Sequence, residues 1–177
     1  MEPVKRFLKT WMPSLVIALV CSLLIRTYVV EAMVVPTGSM IPTIQIKDRV
    51  VVEKLLPMTN LRHGDKIVFY PPVEEEAGKR YVKRLIGLPG DTIQIKEGVL
   101  YRNEERVEEP YIKEPMSYDF GPIQVPDKQY FFLGDNRNQS YDAHLWATPF
   151  VDEEDLIGKV ILTLPTHLIF GNGEESR

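Results

Sequence analysis

This 177-residue chain is poor in the residues that most often carry metal and disulfide chemistry: it has 1 Cys and 3 His. A single thiol excludes an intrachain disulfide and every multi-thiolate metal site. His63, His144 and His167 form no HExxH or comparable pairing, so neither a metal nor a cofactor is expected. Basic charge is short as well. The 21 Lys and Arg face 25 Asp and Glu, for a net charge of -4, and a chain without a basic face does not grip phosphates, so nucleic acid is not expected as a partner. No internal repeat or low-complexity tract is visible, and the length suits one domain of ordinary size.

Long hydrophobic runs are also scarce, apart from one. Trp11 to Val30 holds 15 hydrophobic residues out of 20, with Arg26 as its only charge. As a helix it would be about 30 Å long, the thickness of a bilayer's hydrocarbon core. Arg26 lies close enough to the far end to snorkel, and Trp11 and Tyr28 sit where interfacial aromatics belong. Lys5, Arg6 and Lys9 precede the run, so the positive-inside rule expects a cytoplasmic N-terminus and an extracytoplasmic remainder. The expected organisation is a cytoplasmic tip over 1–10, a transmembrane signal-anchor helix over 11–30, and an extracytoplasmic catalytic β domain over 31–177. A cleavable signal peptide would need small residues at -3 and -1, and Arg26 to Ala32 offers no A-x-A. A buried core helix is the other alternative, although the run is apolar on all faces.

Beyond Met33, strand signals dominate. Val50–Val52, Lys66–Tyr70, Arg80–Ile86, Thr92–Ile95, Val99–Tyr101, Gln129–Leu133 and Lys159–Leu164 are short, β-branched or aromatic, and bounded by turn residues. Glu97-Gly98 closes a hairpin between Thr92–Lys96 and Val99–Arg102. Weak helical spacing recurs only at Asp152–Ile157. The acidic runs Glu74–Glu76, Glu104–Glu109 and Asp152–Asp155 read as solvated loops or faces, and Gly171–Arg177 as a frayed tail. The outer part is expected to be mainly β.

Four segments combine turn residues with groups that nucleophilic chemistry requires. In Pro36-Thr37-Gly38-Ser39-Met40-Ile41-Pro42-Thr43, Gly38 frees the backbone for a sharp turn. The Ser39 hydroxyl, its own N-H and the Thr37 hydroxyl can then address one small space, as in an oxyanion hole. An ST-turn between two prolines reads the same residues without chemistry. In the strand Arg80 to Ile86, a period of two places Tyr81, Lys83 and Leu85 on one face. Lys83 is the single charge there, and a desolvated lysine is a competent general base, whereas a lysine snorkelling at a sheet edge is not. Gly87-Leu88-Pro89-Gly90-Asp91 is a rigid turn that ends this strand. Gly134-Asp135-Asn136-Arg137-Asn138-Gln139-Ser140-Tyr141-Asp142 is rich in acceptors, but Arg137 at the third ligand position and the lack of Gly at the sixth argue against calcium. A loop of Asx-turns with Ser140 and Asp142 aimed inward would instead orient Lys83 and pair with Arg84.

Taken in order, the N-terminal run, the Gly38-Ser39-Met40-x-Pro42-Thr43 box, the Gly64-Asp65 to Phe69 strand, the Tyr81 to Asp91 box and the Gly134-Asp135-Asn136-Arg137 to Asp142 box resemble the type I (leader) signal peptidases. The likeness covers most of the chain, in the single-anchor Gram-positive-like form. It implies a signal-peptidase-like β-barrel or sandwich behind one transmembrane helix, and a membrane-bound serine endopeptidase. Such an enzyme removes signal peptides from exported preproteins after a small P1 residue (A-x-A). The resemblance implies Ser39 as nucleophile and Lys83 as general base, with oxyanion donors from Thr37 and Ser39. It also implies Ser140 orienting the lysine, Asp142 bracing the site through Arg84, and shallow pockets lined by Met33, Val35, Ile44, Tyr81 and Val82. Substrate would lie as an added strand beside Met33–Pro36. Implied partners are signal peptides, membrane lipid and a nearby export translocon. One departure stands out: many members close the last box with Asp-Ser-Arg, whereas this chain has Asp142-Ala143-His144. A self-cleaving serine-lysine repressor shares the dyad but would carry a DNA-binding domain in place of the apolar run. A membrane-tethered β-module that binds exported chains without cleaving them is the non-enzymatic rival.

Overall fold

The structure is a computed structural model that describes residues 2–24, 29–55 and 60–166. It begins with helix α1 (Glu2–Leu24), followed by eleven strands: β1 (Val30–Val34), β2 (Arg49–Glu53), β3 (Lys66–Phe69), β4 (Tyr81–Gly87), β5 (Thr92–Lys96), β6 (Val99–Arg102), β7 (Glu105–Arg106), β8 (Phe120–Gln124), β9 (Gln129–Leu133), β10 (Val151–Asp152) and β11 (Leu156–Leu164). Seven strands form one sheet in the order β1-β2-β11-β3-β4-β9-β10, and four form a second in the order β7-β6-β5-β8. The sequence expectation of a mainly β domain therefore holds.

The helix differs from expectation in its bounds. It starts at Glu2, and Val30 already belongs to β1, so the expected span over Trp11–Val30 and the boundary at 31 are corrected. Among the described residues, no helix is long and apolar enough to cross a membrane. Arg26, Tyr28 and the tail Gly171–Arg177 lie outside the described residues. Eight large apolar side chains of α1, from Trp11 to Leu23, are exposed, so this stretch of the helix is no part of the hydrophobic core.

All seven strands read from the sequence are present, within a few residues at their ends. β7, β8 and β10 were not among the strands read from the sequence; β8 carries Gly121-Pro122 and lies at a sheet edge, where a missing N-H costs no ladder bond. The weak helical spacing at Asp152–Ile157 resolves into β10, one turn of 3-10 helix at Glu153–Asp155 and the start of β11. The Glu97-Gly98 hairpin forms as expected, with both residues at positive φ, the backbone that a two-residue antiparallel turn requires.

Two apolar clusters hold the fold. The larger joins both sheets through Phe69, Leu85, Ile93, Ile95, Phe131, Phe132 and Trp146. The smaller gathers Val35, Met40, Ile44, Val50, Val52, Val68, Val82 and Val160. Strand β4 contributes to both, and every residue from Val82 to Gly87 is buried. A charged side chain on this strand cannot reach water by leaning outward.

Ile44 has no accessible surface, and it packs in the smaller cluster one helical turn from the equally buried Met40. The pair pins the turn that carries Ser39, a role different from the pocket lining expected of Ile44. Ile44→Ala should therefore cost roughly 2–5 kcal/mol of unfolding free energy in urea titrations, as a deleted core side chain does. A variant as stable as the parent would place Ile44 at a surface.

Candidate active site

The segment between β1 and β2 folds back on itself. Val35 N-H donates to the Asp48 carbonyl at 2.9 Å and Lys47 N-H to the Val35 carbonyl at 2.8 Å, while the buried Asp48 carboxylate accepts from Gln45 N-H and Thr166 N-H. Ser39 sits on the tight turn inside this closed loop, half-buried and beside the anchor Met40. It lines a cleft of about 760 Å³ together with Met33, Val35, Pro36, Thr37, Tyr81, Val82 and Lys83. The expected nucleophile, base, oxyanion donors and pocket residues thus share one cavity, with Ile44 beneath it as the exception. β1 is the outermost strand of its sheet and borders this cleft.

Lys83 is 2% exposed. Its Nζ donates to Ser140 Oγ at 2.8 Å and lies 5.4 Å from the centre of the Tyr81 ring. Burial pushes its amine down from 10.5 to about 8, against the upward pull of the Asp142 and Asp135 charges. Among the described residues, no carboxylate forms an ion pair with this ammonium. Desolvation therefore outweighs attraction, and the neutral amine is accessible near physiological pH.

The nearby carboxylates have other partners. Arg84 grips Asp135 with two bonds, Nε to Oδ1 at 2.7 Å and Nη2 to Oδ2 at 2.6 Å, and Nη1 reaches the Gly64 carbonyl at 2.8 Å. Thr43 Oγ1 donates to the same Asp135 carboxylate, and the guanidinium carbon lies over the Tyr111 ring, 3.8 Å from its centre. The expected pairing of Arg84 with Asp142 is therefore corrected. A planar guanidinium and a facing carboxylate make a two-point contact that fixes both. Asp142 instead accepts from Gly134 N-H at 2.8 Å and meets His144 Nδ1 at 2.6 Å.

Other participants carried too weak a sequence signal to be assigned. Asn136 clamps the serine turn from the opposite segment, its N-H to the Ser39 carbonyl at 3.0 Å and its Nδ2 to the Gly38 carbonyl at 3.1 Å. Its place in an acceptor-rich loop was legible, its partner was not. Gly134 is where the segments meet, because a Cβ there would collide with Ser140 Oγ and the Ser39 carbonyl. Fully buried Arg137 holds the Gly134 carbonyl at 3.0 Å and closes on Glu109 with two bonds of 2.6 Å. Glu109, expected in a solvated acidic run, is thus a buried counter-charge.

The comparisons show the family. The family described as Signal peptidase, peptidase S26 matches residues 8–164. The chain belongs to this family. It is 40% identical over 152 residues to a signal peptidase I of Leptolyngbya laminosa, across 82% of this chain and 74% of that one. It is 39% identical over 150 residues to a signal peptidase I of Bacillus licheniformis, across 78% and 79%. The crystal structure of a signal peptidase I from Enterococcus faecalis superposes with a TM-score of 0.50 at 31% identity, over 58% of this chain and 97% of that one.

Depressing Lys83 from 10.5 to about 8 corresponds to roughly 3 kcal/mol of destabilisation wherever the unfolded chain holds the extra proton. That penalty is complete below pH 8 and fades as pH rises toward 10.5. Lys83→Met should therefore be more stable than the parent at neutral pH, by about 2 kcal/mol after loss of the bond to Ser140. In urea titrations the gain should shrink at alkaline pH; a gain independent of pH would contradict the desolvation.

Proposed function

We propose that this chain is a signal peptidase I that cleaves N-terminal signal peptides from exported preproteins after a small P1 residue, using a Ser39–Lys83 dyad through an acyl-enzyme. The carrying observation is the Lys83 amine, buried, bonded to Ser140 and lining the same cleft as Ser39. Neutral Lys83 accepts the Ser39 proton as Oγ attacks the scissile carbonyl. The Ser39 N-H and Thr37 hydroxyl receive the developing oxyanion. Lys83 then returns the proton to the leaving amine, the new N-terminus of the mature protein, and later activates the water that hydrolyses the ester.

Substrate specificity follows the cleft. Met33, Val35, Tyr81 and Val82 offer apolar walls for small P1 and P3 side chains, which suits A-x-A and excludes bulk. The free outer edge of β1, continuing to Pro36, gives an extended substrate main-chain partners whatever its sequence. That is the economical way to bind many preproteins that share only small residues.

The enzyme works at a membrane, with the N-terminus cytoplasmic, the β domain extracytoplasmic and the export translocon close by. The basic residues Lys5, Arg6 and Lys9 ahead of the exposed apolar side chains of α1 support this placement. Lipid covering that helix would remove its apolar surface from water.

With full-length protein in detergent and an A-x-A preprotein, Ser39→Ala and Lys83→Ala should each lower kcat/KM by roughly 10⁴-fold or more while remaining folded. Because the base acts unprotonated, kcat/KM of the parent should fall about tenfold per pH unit below a limb near 8. Intact cleavage by either folded variant would contradict the dyad.

A further inference from the structure

Two residues beyond Asp142, the chain turns the His144 ring back onto the Asp142 carboxylate. His144 Nδ1 meets Oδ1 at 2.6 Å, and the His144 main-chain N-H approaches the same oxygen at 3.4 Å. The His144 side chain is 9% exposed and the Asp142 side chain has no exposure at all. The imidazole lies flat against Tyr118, with ring centres 3.9 Å apart and planes within 5° of parallel. It is therefore a donor held in one orientation by stacking. His144 does not line the Ser39 cleft, so it is not placed to take the serine proton.

The enclosed carboxylate has consequences on both sides. Its Oδ2 accepts the Gly134 N-H, and Gly134 is the residue whose missing side chain lets Ser140 and the Ser39 carbonyl approach. Its charge is also the larger of the two that oppose the desolvation of Lys83. A group that fixes Asp142 and shares its charge consequently acts on the position of Ser140 and on the protonation of Lys83.

Resting on the dyad reading above, we propose that His144 is a positioning residue of this reaction: its ring N-H orients Asp142 and tempers the negative charge that this carboxylate directs at the Lys83 amine. The groups around it come from several segments. Asp142 lies on its own loop, Tyr118 on the segment before β8, and Lys83 on β4. Arg137 and Glu109 also act on Tyr118, and Asp135, paired with Arg84, adds the smaller of the two carboxylate pulls on Lys83. Burial pushes the Tyr118 hydroxyl well above its usual range, so Tyr118 is neutral and contributes only its face.

The sign follows from electrostatics. Without the imidazole donor, the Asp142 charge is less shared and holds the Lys83 ammonium more tightly, so a higher pH is needed to free the base. Arginine at the same position places a full positive charge against Asp142 and acts in the opposite direction. The experiment is the pH profile of kcat/KM on an A-x-A preprotein, with full-length parent, His144→Ala, His144→Arg and Lys83→Ala in detergent, each checked by thermal unfolding. The alanine variant should move the lower limb upward by about 0.5 to 1 pH unit, a loss of roughly 3- to 10-fold at pH values below the limb that vanishes on the plateau. The arginine variant should return the limb to the parent position or below it. If the alanine variant is unfolded, His144→Leu replaces it, filling the space beside Tyr118 while removing the donor to Asp142. An unmoved limb, an equal loss at every pH, or failure of arginine to restore the limb overturns the positioning role while inactivity of Lys83→Ala leaves the dyad standing. Activity retained in Lys83→Ala overturns the dyad and this role with it.

Discussion

A lysine ammonium shut away from water, with a hydroxyl as its hydrogen-bond partner and, among the described residues, no carboxylate in ion-pairing contact, is the constraint on which the rest of the structure depends. Burial disfavours its charge, while Asp142 and Asp135 favour it, and the amine settles at about 8 because burial wins. That outcome requires both carboxylates to be occupied elsewhere. Asp135 is taken by the two-point grip of Arg84, and Asp142 by Gly134 N-H and His144. An acid in direct contact with Lys83 would hold the proton and remove the base that the proposed dyad needs. The neighbouring residues Lys83 and Arg84 thus divide the work: one is a charge kept unpaired, the other a charge spent on pairing.

The fold meets this requirement by burying β4 on both faces between two apolar clusters. Ser39 arrives on a loop pinned by Met40, Ile44 and Asp48. The third segment, after β9, is drawn against that loop by Asn136 and kept close by the absence of a Cβ at Gly134. Arg137 and Glu109 fix the Gly134 carbonyl from behind, so the second sheet's neighbourhood also braces the site. Buried charge pairs of this kind add little net stability, but leaving either partner alone is costly. They therefore set geometry more than they stabilise.

Much of this was legible in the sequence. Alternation placed Lys83 as an isolated charge on an apolar strand face, and the structure buries it. Turn residues located Ser39 and the Asp135–Asp142 loop, and seven of the strands were evident from β-branched runs. What could not be read were the partners. Nothing in the one-dimensional sequence chooses between Asp135 and Asp142 as the partner of Arg84, and the registers of β3, β4 and β9 decide for Asp135. Glu109 looked solvated because its acidic neighbours are, and its burial depends on Arg137, 28 residues away. Ile44 was implied as a pocket residue by the family resemblance alone, which does not reveal whether this chain turns it inward. Val30 read as the end of an apolar span, yet it pairs with Glu53 in the sheet. His144 stood out in the sequence only as a departure from Asp-Ser-Arg, and its contacts with Asp142 and Tyr118 were not legible there.

The most direct measurement is the titration of the Lys83 amine itself, by NMR of full-length protein in detergent carrying isotope-labelled lysine side chains, with the Lys83 signal assigned by its loss in Lys83→Met. The account predicts a midpoint near 8. A midpoint at the ordinary lysine value of about 10.4 would show a solvated or ion-paired ammonium, and would remove the base from the site.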